Sequence, residues 1–413
     1  SVQDAAQTAG QTSATLRAGE SIRVLTFNTG YAGLDKSQDF FMDGGTGVKP
    51  ESRERVNANL AGILGALNAQ NAQIYFLQET DVDSARTYGV NEVEYYRHGL
   101  SLNMAFAANY KTAFVPYPWP PIGRVHSGLT TLTELQVTEA TRESLPVPFQ
   151  WPLRIANLKR CMLVERVPVE GTDKELVLVN FHLEAYDDGE GKVAQTRQLV
   201  ELMKAEYRNG NYVIAGGDFN QTFAEAAHIG GSWESKWTPG VFAEDELPHY
   251  IKLVYDGTRP SCRSLDQPYT GDRKNHAFYL IDGFLMTDET VGDVIVHWEA
   301  PASTVAVGAI KSSSTFIKGG PPLQLLGPLC EGAPPAGGGG ENCTAVRNIS
   351  GYGKVLSLRP FGAPLPLWRK RHLPRIGGVC LAEGGKKKEP RGALFLHQCA
   401  KTLFFIFLYT AFA

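Results

Sequence analysis

Five short apolar runs in this chain each close on a side chain able to bind a cation or move a proton. Residues 22–27 end at Asn28, residues 74–78 at Glu79, residues 176–181 at His182, and residues 278–281 at Asp282. The fifth run, Tyr-Val-Ile-Ala-Gly-Gly-Asp-Phe-Asn over 212–220, closes on a carboxylate and a carboxamide, Asp218 and Asn220, one residue apart. Runs of this length bounded by turn formers read as buried strands. Gly216 and Gly217 are expected to release the backbone from strand geometry just before the polar pair. A single polar strand end is ordinary, because Asp and Asn favour turns. Asn, Glu, His, Asp with Asn, and Asp together form a set that can bind a hard divalent cation and transfer protons. In open α/β folds ligands collect beyond the carboxyl ends of strands, where these groups would stand.

The elements that must position them are legible in outline. Residues 51–70 place Val56, Leu60, Ile63, Leu64 and Leu67 on one helical face, with Pro50 suited to a helix start. Residues 195–207 repeat the pattern with Leu199, Leu202, Met203 and Tyr207. Strand, helix, strand therefore occurs twice, and two such halves make a four-layer α/β sandwich: two mostly antiparallel sheets face to face with helices outside. Residues 128–132, 160–167 and 176–181 read as successive strands of the second sheet. Residues 105–117 read as a strand pair or an irregular excursion, stopped by the Pro-rich stretch 116–121. Asp81, Asp83, Arg86 and Tyr88 suggest a polar loop over the site. Tyr110 and Lys111 could meet a phosphate, although an exposed Tyr-Lys pair is commonly just exposed. Residues 221–275 form a loop-rich excursion whose Ser261, Arg263, Ser264, Arg273 and Lys274 could bear on substrate choice.

Leu25-Thr-Phe-Asn28, Leu77-Gln-Glu79, Asn180-Phe-His-Leu183, Gly217-Asp-Phe-Asn220 and Ile281-Asp-Gly-Phe284 resemble, in order and spacing, the motifs of the endonuclease/exonuclease/phosphatase (DNase I-like) superfamily. The resemblance covers residues 20–297. Phe40-Phe-Met-Asp-Gly-Gly45 and a long insertion before His126-Ser-Gly-Leu129 look most like its bacterial exported branch. The resemblance implies a DNase I-like sandwich and divalent-metal-dependent hydrolysis of phosphodiesters or phosphomonoesters. Glu79 would be the principal ligand of Mg²⁺ or Mn²⁺, with Asn28 assisting. His182 would contact the scissile phosphate or transfer a proton, Asp218 would orient or deprotonate the attacking water, Asn220 would hydrogen-bond the phosphate, and Asp282 would position a partner or a second metal. The implied substrate is a phosphate ester of a nucleic acid, a phospholipid or an inositol phosphate, acted on by a monomer with no obligate protein partner. An extracytoplasmic or membrane-anchored location, through a segment preceding Ser1, is likewise implied.

One part of the pattern is absent. The superfamily ends on a strand followed by an Asp-His pair, and none of the nine histidines here follows an Asp. An inactive relative, binding but not turning over, is therefore the alternative reading.

Composition divides the chain near residue 297. Of 40 basic and 43 acidic side chains, residues 298–413 hold 14 Lys and Arg against 5 Glu and no Asp, leaving 26 basic and 38 acidic groups before them. An acidic body argues against a tight, unspecific grip on a phosphate backbone, which needs clustered Lys and Arg. Residues 1–20, polar and without apolar period, read as a linker. Residues 298–413, Gly- and Pro-rich and basic, match no domain pattern. They are expected to be disordered or the product of a shifted reading frame, a basic tail for an acidic partner or a membrane being the competitor. The six cysteines include no Cys-x-x-Cys pair and no zinc spacing.

Overall fold

Walking along the chain, strands β1 (Val2–Asp4), β2 (Ala6–Thr8), β3 (Leu16–Arg17) and β4 (Ile22–Asn28) come first. Helix α1 (Arg53–Gln70), β5 (Ile74–Asp81), α2 (Glu92–Leu100), β6 (Asn103–Val115), β7 (Gly123–Thr133) and β8 (Glu139–Ser144) follow. Next are β9 (Cys161–Glu170), β10 (Glu175–His182), helix α3 (Glu190–Arg208), β11 (Tyr212–Asp218), β12 (Gln221–Thr222) and β13 (Gly240–Val241). The remaining strands are β14 (Ile251–Val254), β15 (Cys262–Arg263), β16 (Phe278–Tyr279), β17 (Asp282–Thr287), β18 (Val294–Glu299), β19 (Ala302–Val307) and β20 (Leu323–Leu325). The computed structural model describes residues 2–8, 13–149, 157–187, 189–229, 233–257, 259–288, 294–299, 302–307 and 323–325. All of them fall in one compact unit, Ser1–Pro334, and residues 335–413 lie outside the described residues.

Two eight-stranded sheets carry the fold. One runs β18-β20-β19-β4-β5-β7-β6-β2, the other β1-β8-β9-β10-β11-β17-β14 with β3 beside β9. Most neighbours are antiparallel, but β3 with β9 and β18 with β20 are parallel, as are β4 with β5 and β10 with β11, the last two pairs each bridged by a helix. Ile22, Val24, Ile74 and Phe76 of one sheet pack against Leu176, Leu178, Ile214, Phe284 and Met286 of the other. On the outer faces α1 and α2 cover Leu25, Phe27, Tyr75 and Leu77, while α3 covers Val177, Val179, Val213 and Ala215. The result is the expected four-layer α/β sandwich, whose strands alternate between a sheet-facing and a helix-facing set.

Helices α1 and α2 start at side-chain caps. Ser52, not Pro50, caps α1 by accepting from the Arg55 N–H, and the helix ends at a left-handed Asn71. Helix α3 begins at Glu190, earlier than its apolar period, and buries Leu199, Val200 and Met203.

Four expectations need correcting. The segment expected as a linker supplies β1, β2 and β3, which pair with β8, β6 and β9, and Leu16 is buried in the core between the sheets. Residues 128–132 belong to β7 beside β5, in the first sheet rather than the second. Residues 105–117 fall largely in one long strand, β6, paired with β7 as a hairpin. Gly216 and Gly217 do not interrupt β11. They are needed because a Cβ at Gly216 would lie 2.6 Å from the Phe284 ring and 2.8 Å from Phe76 across the sheets, and one at Gly217 would collide with the Phe181 carbonyl oxygen. Pairing also continues across residue 297, since β19 joins β4. The rest of the expectation for 298–413 lies outside the described residues.

Candidate active site

Alternation in β10, β11 and β17 places three polar groups side by side. His182 pairs with Asp218 and Asp218 with Asp282, so all three side chains leave the same face of adjacent strands, the face turned to the other sheet. They are the inward-facing residues that follow Leu178 and Asn180, Ile214 and Gly216, or precede Phe284 and Met286. All three are buried.

The opposite sheet answers with Asn28 and Glu79. Asn28 lies on the inward face of β4, two residues beyond Thr26. Glu79 does not follow alternation, which would turn it toward α1. Leu77 pairs with Thr130 but Thr80 pairs with Gly128, so β5 holds one extra residue there, and Glu79 takes a left-handed backbone, φ 56°. The bulge brings its carboxylate to the inward side, where 27% of the side chain is exposed.

Asn28 joins the two halves. Its Nδ2 donates to Glu79 Oε1 at 3.0 Å and to Asp218 Oδ2 at 3.0 Å, while its Oδ1 accepts from the Gly30 N–H. His182 Nε2 stands 3.6 Å from Asp218 Oδ2, and its Nδ1 4.0 Å from Glu79 Oε1. Burial, helped by the nearby Arg160 charge, lowers the His182 pKa well below its usual range. The imidazole is therefore neutral and these contacts are not ion pairs. Burial pushes Asp218 up to about 6, against the hydrogen bonds from Asn28 and the Asn220 N–H.

The other expected residues take structural places. Asn220, left-handed at φ 49°, donates its side-chain amide to the Leu183 carbonyl at 2.9 Å and its N–H to Asp218 Oδ1 at 2.8 Å. These two hydrogen bonds fasten the ends of β10 and β11. Asp282 accepts from the Ser261 hydroxyl at 2.6 Å, so the loop excursion reaches the site through Ser261. Arg263 instead holds the loop after β4, donating to the Asp35 and Gln38 carbonyls. Asp81 and Arg86 pair through two hydrogen bonds beneath Glu79, with Asp83 and Arg124 paired at the surface. Tyr110 and Lys111 lie on β6 opposite Ser127 and His126.

Four neighbours were not among the candidate residues. Asp43 accepts from the Tyr186 hydroxyl at 2.8 Å, and burial pushes its carboxyl up to about 6. Arg160, 3% exposed, has Nε 3.7 Å from Glu184 and no hydrogen-bond partner for Nε or Nη1 among the described residues. Its charge bears on His182, Asp218 and Tyr186 alike. Tyr186 and Glu184 stand just past the motif at His182, the one signal that could have drawn attention to them.

Among the described residues no three His, Cys, Asp or Glu side chains cluster as a metal cage. The donors that converge are carboxylate oxygens of Glu79 and Asp218, both within hydrogen-bond distance of one amide. That set fits Mg²⁺ or Mn²⁺, hard cations that take one or two carboxylates and leave other positions to water and substrate phosphate.

No family model matches the sequence, and no curated protein matches it. Among solved structures, TDP2 from C. elegans is 13% identical with TM-score 0.42, over 68% of this chain and 69% of that one. The human Nocturnin catalytic domain with bound sulfate is 14% identical with TM-score 0.40, over 74% and 91%. ANGEL2, a 2',3'-cyclic phosphatase, is 13% identical with TM-score 0.42, over 75% and 91%. These likenesses are distant, and the chemistry rests on the side chains.

Proposed function

We propose that this chain is a hydrolase of phosphate esters that works with Mg²⁺ or Mn²⁺. The observation that carries the reading is the Asn28 amide bridging Glu79 and Asp218 at 3.0 Å each, with His182 beside both, at the carboxyl ends of β4, β5, β10 and β11. Glu79, the more exposed carboxylate, would hold the cation together with Asp218, and a cation held there would supply positive charge to polarise a phosphoryl oxygen and offset charge gained in the transition state. Asn28 fixes the separation of the two carboxylates, so neither needs to reorganise as substrate enters. Asp218 accepts a hydrogen bond from the attacking water and orients it. Neutral His182 donates from one ring nitrogen toward a phosphoryl oxygen. Asp282, held by Ser261, keeps the row of strand ends in place, and Asn220 keeps Asp218 in its rotamer.

The test is hydrolysis of bis-p-nitrophenyl phosphate by the full chain with Mg²⁺, with Mn²⁺ and with a chelator. Glu79→Gln and Asp218→Asn are each expected to lower kcat/KM about 10³-fold, and chelation to abolish turnover. Wild-type rates in either variant, or a rate indifferent to the cation, sink the proposal. A non-catalytic binding protein is the second reading, favoured by the absent Asp-His pair; saturable Mn²⁺ uptake by folded protein without turnover would support it.

A further inference from the structure

The most exposed large apolar side chain among the described residues is Trp119, 89% exposed. Phe114 at 59% and Tyr117 at 39% accompany it around the β6–β7 turn, and the Tyr117 ring contacts Phe41, whose neighbour Met42 is 45% exposed. A soluble surface rarely shows so many large apolar groups together without a partner. The turn is stiff: Pro116, Pro118, Pro120 and Pro121 flank the two rings, and each fixes its φ. Little entropy is lost when such a tip is held against something.

Its position is as telling as its composition. Asp81, two residues past Glu79, pairs with Ser127, and the hairpin continues to the pair Val115 and Gly123. Four residues of strand carry the tip about 13 Å beyond the Glu79 end of β5. The loop that touches Tyr117 through Phe41 also sends Asp43 to Tyr186 beside the site. Tip and site therefore open at the same end of the sandwich.

Charge selects the occupant. Strands β6 and β7 and their turn contain Lys111 and Arg124 but no carboxylate, within a body where acidic groups outnumber basic ones 38 to 26. Two cations, one of them paired with Asp83, are too few to grip a polyanionic backbone. They suffice beside rings that bury themselves among lipid headgroups, where Trp and Tyr concentrate.

We infer that the Phe114–Tyr117–Trp119 tip docks on a phospholipid bilayer and presents the site to headgroup phosphates. The substrate class rests on the proposed phosphoesterase function; the docking does not.

The experiment is co-sedimentation of the full chain with phosphatidylcholine vesicles, with and without phosphatidylserine, read also by tryptophan emission. Wild type is expected to pellet with a blue-shifted emission. Trp119→Ser and the double variant Phe114→Ser/Trp119→Ser should lose about tenfold in vesicle partition per ring removed, with hydrolysis of bis-p-nitrophenyl phosphate unchanged. Hydrolysis of vesicle phospholipid should fall in step with partition. The docking is overturned if wild type stays in the supernatant or if the double variant pellets equally. It is also overturned if Trp119→Ser instead abolishes binding of a single-stranded oligonucleotide or self-association. Vesicle uptake needs no catalysis, so a chain that pellets but cleaves no ester loses the enzyme reading alone, and one that cleaves the soluble ester but ignores vesicles loses the docking alone.

Discussion

In the second sheet His182, Asp218 and Asp282 face the site because three neighbouring strands end in register. In the first sheet Glu79 reaches the same crevice only because β5 carries one residue too many and a left-handed turn. The row is held by main-chain pairing. The bulge takes one main-chain bond, from the Thr29 N–H to the Gln78 carbonyl, and is otherwise held by side chains. Thr29 donates to the Gln78 carbonyl, Thr80 shares a 2.6 Å hydrogen bond with Thr130, and buried Asp81 takes two bonds from Arg86 and one from Thr87. A position set by backbone register resists side-chain substitution and fails with the strand pair; one set by a side-chain network can fail while the sheet stands.

Arg86→Met is the severest way to break the bulge half. It leaves the fully buried Asp81 carboxylate without its cation, and removing one partner of such a pair costs about 3–5 kcal/mol. Urea denaturation should show that loss. Any protein still folded should need more Mg²⁺ for half-maximal rate, because Glu79 loses its support. An unchanged midpoint and unchanged Mg²⁺ dependence would mean that the bulge holds itself.

Gly217→Ala breaks the row instead. The new methyl meets the Phe181 backbone, which cannot rotate away, so β10 and β11 must separate, at about 1–3 kcal/mol. Here the drop should appear in kcat with little change in Mg²⁺ dependence, since Asp218 and His182 move apart while Glu79 stays. If both variants lose Mg²⁺ affinity alike, the two halves are not separately positioned.

This contrast also marks what the sequence could disclose. Strand ends closing on polar residues are visible as text, and period-two alternation through Leu176, Leu178 and Asn180 already points His182 at the opposite sheet. The same arithmetic applied to Ile74, Phe76 and Gln78 sends Glu79 to the wrong face, because nothing local announces a bulge that depends on Thr130 and Gly128, some fifty residues away in sequence. Strands as short as β1, β2 and β3 have no period to detect and form only because β8, β6 and β9 offer them edges. Asp43 and Arg160 sit in a loop and at a strand start; only the fold brings them to Tyr186 and Glu184.

What fixes the distance between the halves is a polar bridge just inside the site. Gln78 Nε2 donates to Asn180 Oδ1 at 2.8 Å and to Thr26 Oγ1 at 3.1 Å, and Asn180 Nδ2 donates to the Leu77 and Thr130 carbonyls at 3.2 and 2.9 Å. Both side chains are fully buried, so each bond is made where water cannot substitute. Asn180 is two residues from His182 and Gln78 is next to Glu79; the bridge therefore sets the gap across which Asn28 spans the carboxylates. Asn180→Leu alone strips partners from Gln78 and from two carbonyls and is expected to cost about 2 kcal/mol, and Gln78→Leu alone likewise strands Asn180. Gln78→Leu combined with Asn180→Leu removes both polar side chains, and a buried pair replaced by apolar groups loses much less. The cycle should therefore give a coupling of about 1 kcal/mol in stability, while kcat stays depressed in the double variant, because packing has been restored and the spacing has not. Recovery of both stability and kcat would show that apolar contact alone can hold Glu79 and Asp218 at the separation the Asn28 amide requires.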